Sequence, residues 1–241
     1  MSNNNAPSIE SQIEFYNNYW KDLKPFGNYK IQRVNEILKQ LNQITKKNKN
    51  PKILDFGCGD GRSVPIWGLI GETHGFDLSE TAMKKASEIF PTFNFKFGDA
   101  CHSEYNSEFY DIIISQEVIE HIIDQEKYFD ECFKLLKKGG YLILTTPNKF
   151  YFDRVEGGNY SRQPIENIID ANQLSTLISK KFNKISFYSI IDAKGDFGIY
   201  KLFNNIFVKM ILKVLGIKNW FNGMKERNFY NLNLIIVAQK K

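Results

Sequence analysis

The chain has 241 residues, 42% hydrophobic and 15% aromatic, enough to bury one sizeable core within one α/β domain carrying decorations. Its net charge of +5 is uneven: residues 194–241 carry nine Lys or Arg against Asp196 and Glu226, and the remainder is close to neutral. A solvated lysine-rich surface is the simpler reading of that basic segment, and a phosphorylated, nucleotide-linked or membrane-proximal acceptor is the alternative. No apolar run approaches the roughly 18 residues that suggest a membrane-spanning helix, and the polar start Met1–Pro7 lacks the basic-then-apolar order of a signal peptide. Cys58, Cys101 and Cys132 have no metal-like spacing and read as free thiols in a reducing compartment, so a cytoplasmic location is expected. In chain order, residues 9–20 predict an aromatic-rich helix (Tyr16, Tyr19 and Trp20), broken by Pro25 and Gly27. A second helix over 29–44 places Ile31, Val34, Ile37, Leu38 and Leu41 on one face.

The stretch Pro51-Lys-Ile-Leu-Asp-Phe-Gly-Cys-Gly-Asp-Gly-Arg62 follows a polar connector. Ile53 and Leu54 read as a buried strand ending at Asp55. Gly57, Gly59 and Gly61 then make a loop that can turn tightly and let a ligand lie on bare backbone. A helix starting near Arg62 would aim its N–H groups at that ligand. The spacing is D-x-G-x-G-x-G, not the dinucleotide pattern G-x-G-x-x-G, whose last position would fall on Arg62. It resembles the first motif of class I S-adenosylmethionine (SAM) methyltransferases.

That resemblance implies a Rossmann-like, mostly parallel seven-stranded sheet of order 3-2-1-4-5-7-6 with an antiparallel last strand and helices on both faces. It also implies SAM as cofactor, S-adenosylhomocysteine as product, and an N-terminal lid in which Tyr16 and Trp20 close the pocket or simply pack on the domain. The loop Asp55, Gly57, Cys58, Gly59 and Gly61 would face the cofactor. Residues 73–76 predict the second strand, with Asp77 at its tip able to accept two hydrogen bonds from ribose hydroxyls. Leu78 follows, and Ser79 is a candidate N-cap. Residues 93–97 predict the third strand, after which the resemblance places Asp99 and Ala100 at the adenine.

Residues 109–115 form an apolar run that reads as a buried parallel strand, and Gln116 to His121 leave its carboxyl end, where open α/β sheets place their chemistry. No Asn-Pro-Pro-Tyr type motif stands there, which argues against the DNA adenine and protein glutamine reactions. The branch resembled is that of ubiquinone- and menaquinone-pathway, sugar and natural-product methyltransferases. Glu117, Glu120 and His121 would share one face if the segment is helical, an arrangement some relatives use for a divalent cation. The other histidines, His74 and His102, lie upstream. The simpler reading has no metal: Gln116 and Glu117 lie by the cofactor, and His121 lies by the acceptor, with His121 or Glu117 as the base.

A helix over 125–138 is expected to end at Lys137-Lys138-Gly139-Gly140, followed by a strand over 141–145 and the Thr146-Pro147-Asn148 exit. The mixed segment 149–164 offers Tyr151, Arg154, Tyr160 and Arg162 to an acceptor such as a sugar ring or anionic group. A helix over 171–181 and a strand over 184–190 come next. Residues 199–215 read as one helix with Lys201, Asn205, Lys209 and Lys213 every four positions and a very wide apolar face. It would cap the acceptor site, contact a partner copy, or lie on a membrane surface. Residues 232–237 predict the last strand.

The expected organisation is a single domain: a lid over 1–50, a cofactor half over 51–148, and an acceptor half over 149–241 with a helical insert at about 197–225. The expected activity is methyl transfer to O or N of a small molecule, foremost a sugar or surface-glycan precursor in polysaccharide biosynthesis, by a monomer or homodimer. A quinone-like or lipid-linked O-acceptor is the alternative. An RNA or protein acceptor rests only on the basic segment, no nucleic acid is expected, and a non-catalytic SAM-binding scaffold stays open.

Overall fold

The computed structural model describes residues 6–22, 25–46, 48–154, 163–192 and 198–241. Two helices, α1 (Ile9–Tyr19) and α2 (Asn28–Ile44), precede an alternation of β1 (Lys52–Phe56), α3 (Val64–Gly68), β2 (Glu72–Asp77), α4 (Glu80–Ile89), β3 (Asn94–Phe97) and β4 (Tyr110–Gln116). A single 3-10 turn (Ile119–His121) leads to α5 (Gln125–Leu135), β5 (Leu136–Pro147), α6 (Lys149–Phe152), α7 (Ala171–Ser179) and β6 (Phe182–Ile190). Three helices, α8 (Gly198–Asn204), α9 (Ile206–Val214) and α10 (Lys218–Arg227), precede β7 (Asn233–Lys240).

The seven strands form one sheet of order β3-β2-β1-β4-β5-β7-β6, with β7 antiparallel to both β5 and β6. This is the predicted topology. The central strands read as continuous apolar runs because both faces are covered. Leu54, Ile113, Leu142 and Ile236 pack under α5 and α7. The alternate residues Ile53, Ile112, Ile143 and Ile235 pack against α2 and the fully buried Trp67 of α3. Successive strand residues thus feed opposite cores.

Three local expectations fail. The helix expected to run to Lys138 ends at Leu135, because Leu136 turns extended and pairs with Tyr110. Lys137 then reaches Asp111 at 2.9 Å, and Gly139, at φ 75°, turns the chain inside the strand rather than capping a helix. The helix after the glycine loop starts at Val64, close to Arg62 as expected, and is five residues long. The expected helix over 199–215 is two helices: the Asn205 side chain accepts from the N–H groups of Phe207 and Val208 and starts α9 afresh. Ile31, expected inward, is exposed.

Candidate active site

Parallel strands place their carboxyl ends, and the loops that follow, along one edge. At the end of β1 the N–H groups of Gly57 and Cys58 both donate to the carbonyl of Phe76, at 2.7 and 2.9 Å, tying the loop to β2. Gly57 and Gly59 sit at φ 89° and 58°, a region that side chains disfavour. A Cβ on Gly57 would come within 2.2 Å of Val118, and one on Gly59 within 2.6 Å of the Trp20 ring. The backbone there is bare because its neighbours leave no room for anything else. Gly61 faces Ala86 and Phe95, so its smallness serves packing. The Cys58 thiol contacts Met83 Sδ at 3.8 Å, and burial raises its pKa.

Two carboxylates back this loop. Asp77 accepts from Gly59 N–H at 2.8 Å and Ser79 N–H at 3.0 Å. Burial raises its pKa despite those bonds. Asp55 is fully buried beneath the loop, where its Oδ2 accepts from Trp67 Nε1 at 2.9 Å. Its Oδ1 has no hydrogen-bond partner among the described residues. Burial, only partly offset by Trp67 and the Lys30 charge, pushes its pKa up to about 7.

In front of the loop lies a cavity of about 470 Å³. Of the residues expected to bind cofactor, Gly57, Cys58, Gly59, Asp77, Leu78, Asp99, Ala100, Gln116 and Glu117 line it; Asp55 and Gly61 lie behind the wall. Helix α1 roofs the cavity. Asn17 Oδ1 accepts from Ser79 Oγ at 2.9 Å and Thr81 N–H at 3.1 Å, fastening α1 to the start of α4. Tyr16 and Trp20 face inward from this roof.

The floor is built around Glu117, held at φ 56°, a strained conformation for a residue with a side chain. Its carboxylate accepts from Thr145 Oγ1 at 3.1 Å and Asn233 Nδ2 at 2.7 Å, and Arg33 lies 3.6 Å away. The ends of β4, β5, β7 and α2 therefore meet on one side chain. Glu120 and His121 follow on the 3-10 turn, so the helical face imagined for the three does not form. Glu120 is buried, accepts from Thr146 Oγ1 at 3.0 Å, and has its pKa raised by burial and by Glu117. Among the described residues no group of three His, Cys, Asp or Glu side chains is placed to hold a metal ion.

His121 lines the cavity. Its Nδ1 stands 2.8 Å from the carbonyl of Ile165, which accepts only if Nδ1 carries the hydrogen. Nε2 is then the acceptor nitrogen, and burial lowers the pKa below the usual imidazole value. Tyr16 packs edge-on at 6.5 Å from the ring and donates to Gln163 Oε1 at 2.8 Å.

Two acceptor candidates lie elsewhere. Tyr151 packs edge-on against Tyr200, and Arg154 stacks on the Phe150 ring at 3.7 Å; neither lines the cavity. Tyr160 and Arg162 fall outside the described residues. Conversely, Tyr29, Lys30 and Arg33 of α2, together with Ser63, line the cavity without having been expected there. Three of the lining residues carry a buried polar atom without a hydrogen-bond partner among the described residues: Arg33 Nε, Ser63 Oγ and Gln116 Oε1. The glycine cradle, these orphaned polar atoms, the half-buried Asp77 and the buried Asp55 suit a ligand that is part nucleoside and part zwitterionic, sulfonium-bearing amino acid.

Comparison with known proteins agrees. The Methyltransferase domain family matches residues 54–144, from β1 through most of β5. A "Probable S-adenosylmethionine-dependent methyltransferase" of Mycolicibacterium smegmatis is 27% identical over 101 residues, covering 42% of this chain and 39% of its own length. The chain thus spans well under half of that relative. A "Ubiquinone biosynthesis O-methyltransferase" of Pelagibacter ubique is 27% identical over 245 residues, covering 89% of this chain and 99% of its own length. The crystal structure of a SAM-dependent methyltransferase from Archaeoglobus fulgidus superposes with a TM-score of 0.58 at 16% identity, covering 86% of this chain and 94% of that one. That likeness establishes the fold alone.

Proposed function

We propose that this chain, a class I SAM-dependent methyltransferase, methylates a hydroxyl oxygen of a small ring compound, with phenolic or hydroquinone-like hydroxyls as the preferred class. The observation that carries the reading is His121, a partly buried imidazole of the cavity wall whose Nδ1 is committed to Ile165, leaving Nε2, 3.8 Å from Glu120 Oε1, as its proton-accepting nitrogen. Bound SAM supplies a methyl group on a positively charged sulfur, electrophilic enough for an oxygen lone pair to take it in one displacement. The chain's own residues supply the rest. The glycine loop, Asp77 and Asp99, which line the cavity, would hold the nucleoside end. Arg33 and Ser63 suit the carboxylate of the amino-acid end, and Asp55 offsets positive charge from behind. His121 Nε2 takes the hydroxyl proton as the oxygen gains its new bond. Glu117, already engaged by Thr145, Asn233 and Arg33, is a positioning residue. Tyr16, Tyr19, Trp20 and Tyr29 offer ring faces above the site and exclude water.

The sugar or glycan-precursor reading leaned on segment 149–164, whose described candidates do not line the cavity. The name of the Pelagibacter relative also favours an O-acceptor of the quinone type. The test incubates purified protein with methyl-labelled SAM and separate panels of hydroquinones and catechols, nucleotide sugars, amines, RNA and protein. Label on phenolic oxygen is the expected result, and His121→Asn should lower kcat about 100-fold and remove the acid limb of the pH profile, which lies below the ordinary imidazole value. Label on sugar or amine instead overturns the acceptor class. An unchanged acid limb in the variant overturns the base.

A further inference from the structure

We propose that α9, presented by α8 and α10, is a docking surface for an anionic lipid membrane. Phe203 and the fully buried Tyr200 of α8 pack with Phe150, Phe221 and Tyr230, so the insert has its own firm anchor. Beyond that anchor no residue of α9 is buried. Leu202, Phe207, Met210, Ile211, Val214 and Trp220 are all more than half exposed, Val214 reaching 83%. An apolar patch of this extent on an anchored element marks an interaction surface. None of these residues lines the cavity, so the insert does not cap the acceptor from inside.

Charge selects the occupant. From Gly198 to Lys225 the sequence holds Lys201, Lys209, Lys213, Lys218 and Lys225 and no Asp or Glu, and α10 then ends with the opposed charges Glu226 and Arg227. Lys225 is buried against Asp192, whereas the other four are exposed beside the apolar residues. A second copy packed face to face would set lysines against lysines around a shared apolar centre. Anionic headgroups would meet the ammonium groups while Phe207, Ile211 and Trp220 enter the acyl boundary. The nine residues of α9 span about 14 Å, less than half the roughly 30 Å of a bilayer core. No described helix is long and apolar enough to cross, so the contact lies along the surface.

Placement gives the contact a use. The insert lies between the end of β6 and the start of β7, and Ile190 pairs with Asn233 at the edge that carries Glu117. The membrane-facing helices therefore share the sheet edge of the cavity. That suits a small acceptor held in or drawn from the lipid phase, although the docking does not depend on which hydroxyl is methylated.

The test is co-sedimentation of the full chain with phosphatidylcholine vesicles, with or without phosphatidylglycerol. Binding should appear with the anionic vesicles and weaken with salt. Phe207→Ser combined with Ile211→Ser should lower the partition coefficient by roughly 100-fold, with SAM binding and circular dichroism unchanged. Absence of vesicle binding, or binding that the double variant leaves intact, overturns the proposal. A concentration-dependent dimer that the same variant disperses also overturns it and assigns the face to a second copy.

Discussion

Asp55→Asn is expected to make the protein more stable and less able to bind its cofactor, with the two effects separating by pH. The Asp55 carboxyl, ordinarily at 3.8, is pushed up to about 7 by burial. The folded state therefore holds that proton more tightly than the unfolded chain does. The stability this confers is present below about pH 4 and is lost as pH rises through about 7. Above that, forcing the carboxylate to ionise inside the protein costs about 4 kcal/mol, at 1.36 kcal/mol for each tenfold change in proton affinity. Asparagine keeps an oxygen for Trp67 Nε1 at the 2.9 Å position and removes the charge. At about pH 8 the variant should gain about 2–4 kcal/mol, of order 10 °C in Tm for a chain of this length. SAM carries net positive charge, so the variant should bind it about tenfold more weakly, and wild type should release a proton on binding near neutral pH. Calorimetric unfolding across the pH range without ligand, and titration calorimetry with SAM in buffers of different ionisation enthalpy, read both halves. Parallel melting curves for the two proteins between about pH 5 and about pH 8 would refute the reasoning, because the pH dependence is then not seated at Asp55.

Two further outcomes follow from the same site. Gly57→Ala places a Cβ where Val118 now stands, 2.2 Å away, on a residue at φ 89°; it should lower SAM affinity at least tenfold by equilibrium dialysis and destabilise the fold by about 1–3 kcal/mol. Arg33→Gln removes the cation facing both Glu117 and the cavity; it should raise the KM for SAM about tenfold while the acceptor KM moves little, measured by initial rates.

What could be read in the sequence was what is built locally. The strands of the sheet centre announce themselves because both faces are buried, which forces runs such as Ile112-Ile-Ile114. The glycine loop and Asp77 are legible because a ligand held on bare backbone needs glycines at fixed offsets and a carboxylate one β-α-β unit later. The helix ends were harder. Leu136 is as apolar as its helical neighbours, and only its pairing with Tyr110 decides that it belongs to a strand. Asn205 looked like one more polar position in a four-residue rhythm, yet its side chain bonds two N–H groups and begins a new helix. Lys30 and Arg33 sit among other polar residues of α2, and nothing in their spacing marks them as cavity-facing.

The division of labour between Glu117 and His121 depends on contacts that no local pattern could show. Asn233, 116 positions beyond Glu117, donates to it; Thr145 does so from a third strand, and Arg33 approaches from α2. A carboxylate with both oxygens engaged, on a residue at φ 56°, is costly to move and poorly placed to take up a substrate proton. The strained residue is where contacts from β4, β5, β7 and α2 converge beside the cavity. His121 has the opposite character. One nitrogen is committed to Ile165, the other lies 3.8 Å from Glu120 Oε1 with no hydrogen bond among the described residues, and burial lowers the ring's pKa. On the proposed reading, Glu117 would fix where the acceptor meets the methyl group, and His121 would be the group that changes its proton count.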